Sequence, residues 1–225
     1  MQPVLSETQL HLLRMIFDRG TEAASQALSK WLGHEIQLSI SSVREVEIAQ
    51  AVELLGPQDS LVAACSMGLS GWLTGLILLV FKDSSGLAIA DILMHQAVGT
   101  TTAWGELEES AAKETANIVG CAYVNALASH LPIGAAHQKS GDKGQGGRGE
   151  LVPTPPAFVH EFAGSLLEFA FMEQALELDQ VLVFRSDLRA DLPGINLDWT
   201  LLFIPSRASR HALEASLLEL ESRGS

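Results

Sequence analysis

Hydrophobic and polar positions follow two different periods along the chain. Residues 6–32 and 106–131 carry apolar side chains at every third or fourth position, the spacing of a helix with one buried face. Residues 35–46 alternate between apolar and polar, which indicates a half-buried strand. Residues 71–81 are apolar on both faces, as in a strand at the centre of a sheet. These patterns predict an α+β fold with two long helices.

Shorter segments fill the rest of the chain. The predicted strands lie at 60–70, 151–162, 180–186 and 195–204, the predicted helices at 88–96 and 206–220, and residues 48–55 and 166–176 fit either state. Prolines interrupt the strand at 151–162, because proline has no amide hydrogen to donate to a neighbouring strand. Residues 187–193 predict a hairpin turn.

A long helix followed by strands occurs twice. The first occurrence covers about residues 1–99 and the second about residues 100–225. Positions in the two long helices are related by a constant offset of 99 residues, as between Ala27 and Ala126, which indicates an internal duplication. Because each repeat alone would expose a sheet face, we predict one domain, residues 1–225, in which both long helices pack on a largely antiparallel sheet.

A glycine-rich segment, residues 137–150, has almost no counterpart in the first repeat. So much glycine carries a high ordering entropy, and we predict a flexible insertion. Residues 144–149 match the dinucleotide-binding fingerprint in form. That function requires a strand before the glycines and a helix after them, and neither pattern is present, so we reject it.

Composition and charge limit the classes of partner. Of the 225 residues, 47% are hydrophobic and 18% are charged, as in a chain with a buried core. The formal net charge is −13, with a pI near 4.8. Nucleic acid and anionic membrane surfaces need clustered lysine and arginine, so they are poor partners, and a basic protein surface fits better.

Cysteine use and the apolar segments indicate a compartment. Cys65 and Cys121 have neither metal-ligand spacing nor the number needed for a disulfide framework, which favours a reducing environment. The first six residues show no secretory signal. The longest apolar run, residues 71–81, is shorter than the about 20 residues that a membrane-spanning helix needs. We therefore expect a cytoplasmic protein without membrane insertion.

Glu114 and Asn117 form the candidate site. They share one face of the second long helix because they are three residues apart, and Ser110 and Cys121 extend the same stripe. The stripe lies about 100° from Ile118, so we expect it to point outward or along a groove edge. The residues predicted to face the core are Leu107, Ala111, Ile118 and Ala122.

This motif resembles a known family. Ser110, Glu114 and Asn117, followed by a helix of small residues and then a proline-rich strand at 152–156, are similar to the CheC/CheX/FliY group of phosphatases that act on phosphorylated CheY. The resemblance extends over nearly the whole chain, including the segment before the last helix, residues 201–205. One departure is Val119, where the family often has glycine.

The resemblance implies a function for each residue of the motif. Asn117 would orient a water molecule in line with the phosphorus of an aspartyl phosphate, and Glu114 would contact a lysine of the receiver domain. Ser110 would have a supporting role. An amide suits the water because it donates and accepts without adding negative charge beside the phosphoryl group. Mg²⁺ is expected in the partner receiver domain, and no metal or other cofactor in this chain.

The upstream repeat lacks these groups. His11, Met15 and Asp18 occupy the positions equivalent to Ser110, Glu114 and Asn117. A thioether cannot form an ion pair, and a carboxylate would be repelled by a phosphoryl group. We therefore expect a degenerate first site and a CheC-like protein with one intact site. A CheD-like protein is a second expected partner.

Two other functions fit parts of the sequence. One is a non-catalytic interaction domain, similar to the flagellar switch protein FliM or binding a CheD-like protein. The other is a hydrolase with its own substrate pocket. The seven histidines are scattered, with no His-x-x-x-His pair, and no Gly-x-Ser-x-Gly nucleophile motif is present, so the sequence favours the hydrolase least.

Overall fold

The computed structural model describes residues 5–133, 150–166, 180–190 and 196–224. The described helices are α1 (Glu7–Leu32), α2 (Ile48–Leu55), α3 (Asp83–Leu93), α4 (Glu106–His130) and α5 (Arg207–Gly224). The described strands are β1 (Ile36–Glu47), β2 (Leu61–Ser70), β3 (Gly75–Lys82), β4 (Val152–Pro153), β5 (Ala157–Phe162), β6 (Gln180–Ala190) and β7 (Asn196–Pro205).

The strands form one antiparallel sheet to which both halves of the chain contribute. Its order is β1-β6-β7-β3-β2-β4, and β5 also pairs with β2 beyond β4. Read from the β1 edge, the strands come in turn from the first, second, second, first, first and second half of the chain. Read from the opposite edge, the pattern is the same with the two halves exchanged. This mirror order about the β3–β7 pair is compatible with the predicted duplication. The predicted α+β class with long helices on an antiparallel sheet is confirmed.

Both faces of the sheet are covered by buried apolar residues. On one face, α1, α3, α4 and α5 pack on alternate strand positions such as Cys65, Met67 and Phe203. On the other face, α2 packs on the intervening positions, such as Val62 and Ala64. Two covered faces explain why β2 and β3 are apolar almost throughout.

The two long helices begin and end as their sequences predict. Ser6 caps α1, because its side chain accepts from the Gln9 amide while the Gln9 side chain accepts from the Ser6 amide. Gly33 ends α1 in the left-handed region, at a φ of 71°. Helix α4 ends at His130, just before Pro132.

Helix α1 packs closely on α4. A Cβ added at Gly20 would lie 3.2 Å from the Cα of Tyr123, so glycine allows the close approach at this point. The rings of Phe17 and Tyr123 have centroids 5.0 Å apart, and the hydroxyl groups of Thr21 and Tyr123 are 2.9 Å apart. This buried seam holds α4 in one orientation on the sheet.

The structure decides one element that the sequence left open and differs from the prediction at two others. Residues 48–55, which fit either state, form α2. Helix α3 begins at Asp83 rather than at residue 88, because β3 continues into it without a loop. Strand β6 extends to Ala190, so the turn predicted from residue 187 is wrong there: Asp187 pairs with Asp198 and with Ser39, and strands on both sides satisfy the backbone.

Two predicted segments fall wholly or partly outside the described residues. The predicted insertion at 137–150 is described only at Glu150, and the segment at 166–176 only at Leu166. Among the helices that the structure does describe, none combines the length and hydropathy needed to cross a bilayer.

The predicted inward face of α4 is wrong in part. Ala111 is buried, but Ile118 and Ala122 are only half-buried, and Leu107 is 70% exposed. The buried line instead follows mostly small residues, namely Ala112, Thr115, Ala116, Val119, Gly120 and Tyr123. Helix α4 packs against both α1 and β2, and small residues are buried where these contacts are close.

Candidate functional site

Four residues form a straight polar stripe on the outer face of α4. Ser110 and Glu114 are exposed, and Asn117 and Cys121 are half-buried. At 3.6 residues per turn, these four positions fall within roughly 60° of one another around the helix axis. The structure therefore brings the three predicted site residues together on one face of α4, with Ser110 and Glu114 pointing outward and Asn117 half-buried.

The stripe is presented by a rigid part of the helix. About a quarter turn around the helix from the stripe, Gly120 faces β2 so closely that an added Cβ would lie 2.1 Å from the Met67 Cε. Met67 is itself fully buried. Because the buried face of α4 leaves so little room, the helix cannot rotate without breaking core contacts, and Asn117 keeps its outward direction.

The Asn117 side chain makes a hydrogen bond within the stripe. The Cys121 Sγ lies 3.6 Å from the Asn117 Oδ1, as donor to acceptor. Burial raises the pKa of the Cys121 thiol above its ordinary value, and the negative charge of Glu114 raises it further. Cys121 therefore remains a neutral thiol at neutral pH and can donate its hydrogen.

An apolar groove adjoins the stripe on the side of α3. Its lining includes Trp31, Leu93, Met94, Leu107, Ser110 and Glu114, and its volume is about 310 Å³. Glu114 and Ser110 thus border both the groove and the outer face of α4. A protein surface that covers Glu114 would also cover the exposed side chain of Leu107.

Solved structures show which fold this is, although no protein-family model matches the chain. FliY from Thermotoga maritima superposes with a TM-score of 0.72 at 16% identity, over 96% of this chain and 99% of that chain. The FliM middle domain from H. pylori gives a TM-score of 0.66 at 12% identity, over 94% of this chain and 99% of that one. A chain of the FliM–SpeE complex from H. pylori gives a TM-score of 0.67 at 12% identity, over 96% of this chain and 97% of that chain.

The chain has the FliY-type fold. The resemblance that the helix motif suggested is confirmed at the level of the fold. Identities of 12% and 16% carry no information about individual residues. The roles of Glu114 and Asn117 therefore depend on their geometry in this chain.

The equivalent positions on α1 lie on a similar exposed face of the FliY-type fold. His11, Met15 and Asp18 are all exposed, and Met15 is 50% exposed. The structure thus brings these three residues together as the spacing predicts. They present a thioether and a carboxylate where α4 presents a carboxylate and an amide, so the two faces differ in chemistry.

Sequence reasoning missed a polar cluster that connects β5 to α3. The Trp104 Nε1 donates to the Asp83 Oδ1 at 2.5 Å, and the His160 Nε2 lies 2.8 Å from the same oxygen. The Trp104 ring also packs on Phe158, with centroids 4.9 Å apart. These residues hold the start of α4 against the sheet, and the only signal in the sequence was their polar or aromatic type.

A second missed residue, Asp91, organises the connection between the two halves. Its buried carboxylate accepts from the amides of Gly99, Thr100 and Thr101 and from the Thr101 hydroxyl, at 2.5–3.1 Å. Burial by itself would raise the pKa of Asp91, but these four hydrogen bonds outweigh it and hold the pKa below its ordinary value. Asp91 therefore anchors the segment that leads into α4.

Within the described residues, no three histidine, cysteine, aspartate or glutamate side chains are arranged to hold a metal ion. Both cysteines are free, with Cys65 buried and Cys121 half-buried.

Proposed function

We propose that the protein is a phosphatase for the aspartyl phosphate of a CheY-like receiver domain in chemotaxis or two-component signalling. The observation that supports this proposal most directly is the outward presentation of Glu114 and Asn117 from the rigid centre of α4. A carboxylate and a carboxamide on an exposed helix face can enter the active-site cleft of another protein. The FliY-type fold is consistent with such a role.

In the proposed reaction, a water molecule held by the Asn117 carboxamide attacks phosphorus in line with the bond to the aspartate oxygen. That bond breaks, and the products are inorganic phosphate and the free aspartate. Asn117 orients the water molecule and forms no covalent bond. Orientation of this kind lowers the activation free energy by reducing its entropic part. Its neutral amide adds no charge beside the phosphoryl oxygens.

Glu114 has the proposed role of fixing the docked receiver. It is exposed and one helical turn from Asn117, so it can pair with a lysine of the receiver while the amide enters the cleft. Ser110, one turn earlier, supports the dock from the rim of the apolar groove. Mg²⁺ would belong to the receiver domain and not to this chain.

The chemistry of the surrounding surface also supports a protein partner. The net charge of −13 disfavours nucleic acid, and the apolar groove beside Glu114 provides buried area for a docked domain. The proposed substrate is a cytoplasmic signalling protein, and we propose the same compartment for this protein. A CheD-like protein remains a second proposed partner.

The test is phosphate release from phosphorylated receiver domains, comparing the parent with Asn117→Ala. We expect the variant to lose about 10²-fold or more of the catalysed rate, the usual effect of removing one well-placed polar group. The matched control is Asp18→Ala on α1, which should keep the parent rate and the same thermal unfolding curve. Equal rates for the parent and Asn117→Ala would remove the catalytic assignment.

A non-catalytic interaction domain is the second candidate function. It is favoured by the similarity to the FliM middle domain and to a chain of the FliM–SpeE complex. In that case the receiver, or another flagellar or chemotaxis protein, would bind without faster loss of phosphate. Binding of a phosphorylated receiver at α4 with an unchanged lifetime of its phosphate would support this function over the phosphatase.

A further inference from the structure

The Asn117 carboxamide needs a restraint that the backbone of α4 does not give. The terminal torsion of asparagine has a broad, roughly two-fold distribution, so an unrestrained side chain samples many orientations of its oxygen and nitrogen. A group that orients water must instead be held close to one geometry. The hydrogen bond that the structure describes for this side chain is with Cys121, and it can supply such a restraint.

We propose that Cys121 is a positioning residue for Asn117, whose thiol donates a hydrogen bond to the Asn117 Oδ1 and thereby fixes the plane of the carboxamide. This inference rests on the proposed function of Asn117. The donor and acceptor are 3.6 Å apart, a usual length for a hydrogen bond from sulfur. One lone pair of Oδ1 and both hydrogens of Nδ2 stay available to the water molecule and the phosphoryl group.

The protonation state of Cys121 suits this role. A thiolate could not donate, and its charge would repel both the Oδ1 and the incoming phosphoryl group. Burial, together with the charge of Glu114, raises the pKa of Cys121 and keeps the hydrogen on sulfur. Glu114 therefore supports Asn117 indirectly, in addition to its proposed contact with the receiver.

Comparison with the upstream repeat gives a second, independent indication. The position 99 residues before Cys121 is Glu22, which is exposed on α1. The copy that lost the Glu and Asn pair thus also lacks a thiol at this place. Cys65, the other cysteine, is fully buried under the helices and has a packing role.

The experiment measures kcat and KM for phosphate release from a phosphorylated receiver domain, using full-length Cys121→Ala and Cys121→Ser. We expect Cys121→Ala to lower kcat by about two- to tenfold, the effect of one neutral hydrogen bond, and to leave KM unchanged. Cys121→Ser keeps a donor and should recover kcat to within about twofold of the parent. The matched control is Asn125→Ala, an exposed asparagine two turns from Asn117, which should behave as the parent.

A second measurement reports the contact without activity. Cys121→Ala should shift the side-chain amide resonances of Asn117 in a nitrogen-15 NMR spectrum, while the midpoint of thermal unfolding stays the same. Unchanged Asn117 resonances would overturn the hydrogen bond itself. Equal losses of kcat in Cys121→Ala and Cys121→Ser would assign Cys121 a packing role and overturn the proposal.

The outcomes separate this inference from the proposed function. If Asn117→Ala is inactive while Cys121→Ala retains the parent kcat, the positioning role fails and the phosphatase stands. If Asn117→Ala is as active as the parent, the phosphatase site fails, and the positioning role fails with it.

Discussion

Individual side chains in this protein were predictable where spacing alone determines their placement. Glu114 and Asn117 share a helix face because they are three residues apart. The constant offset between the repeats showed that the otherwise similar first helix has different residues at these two positions. Spacing also placed Cys121 on the stripe, but the contact of its sulfur with Oδ1 depends on rotamers that a sequence does not specify. Asp91 could not be found at all, because its partners lie in an irregular segment.

Asp91 allows a prediction at the scale of one residue. Asp91→Asn replaces one of the two accepting oxygens with an amide nitrogen that cannot accept, so two of the four donors lose their partner. We expect unfolding free energy to fall by about 1–3 kcal/mol at neutral pH. Chemical denaturation of the parent and the variant measures the difference.

The pH dependence of that difference follows from the lowered pKa of Asp91. A carboxyl whose folded pKa is depressed contributes stability above its unfolded pKa of about 3.9, and that contribution is lost as pH falls through the folded value. The difference in unfolding free energy between parent and variant should therefore be full at about pH 6–7 and shrink toward about pH 3. A gap that is constant from neutral to acid pH would contradict the ionised role of Asp91.

Whole elements were predicted best where one face is buried and the ends carry clear signals. Ser6 and Gly33 bound α1, and Pro132 marks the end of α4, as their chemistry requires. The inward face of α4 was harder to predict because the helix buries small residues such as Ala116 and Gly120 against two neighbours. Small residues give little hydrophobic contrast, so the larger Leu107 was assigned to the core although it is exposed.

The exposed Leu107 gives a prediction at the scale of the groove between α3 and α4. If a receiver domain covers Glu114, it also covers this side chain, and Leu107→Ser removes apolar contact area from the complex. We expect KM to rise by about tenfold with kcat little changed, since the lost burial of one leucine is worth roughly 1.5 kcal/mol or more. Steady-state phosphate release measures both constants.

A matched control for this variant is Leu218→Ser on α5. Leu218 is 52% exposed and outside the groove, so its replacement should leave both KM and kcat at parent values. If Leu107→Ser leaves KM unchanged, the docked partner does not cover the groove, and the proposed footprint must lie on the other side of the stripe.

At the scale of the whole molecule, the order of strands relates the two halves. The predicted duplication is compatible with a sheet whose order mirrors itself about β3 and β7, with α1 and α4 packed side by side on one face. The sequence predicted the long helices and the antiparallel sheet because helices and strands with a buried face each have a characteristic spacing of apolar residues. It could not predict how strands of the two halves interleave, since that pairing depends on contacts far apart in the chain.

The mirror relation between α1 and α4 suggests that a site like the one on α4 can be built on α1. The positions of Met15 and Asp18 are exposed on α1, as Glu114 and Asn117 are accessible on α4. In a chain inactivated by Asn117→Ala, the pair Met15→Glu and Asp18→Asn should restore phosphate release to about tenfold above the inactive background, which corresponds to roughly 1.4 kcal/mol of barrier. Adding Glu22→Cys should raise kcat further, because it supplies the thiol donor that the upstream copy lacks.

The rate of phosphate release is measured for the Asn117→Ala chain and for the two chains built on it, and it tests whether α1 can be made active. Thermal unfolding checks that all three chains are folded. The exposed positions of Met15 and Asp18 make their replacement mild for stability, so all three chains should unfold at similar temperatures. No gain over the Asn117→Ala background would mean that α1 cannot enter a receiver cleft. The difference between the two helices would then lie in their surroundings and not only in the identity of two side chains.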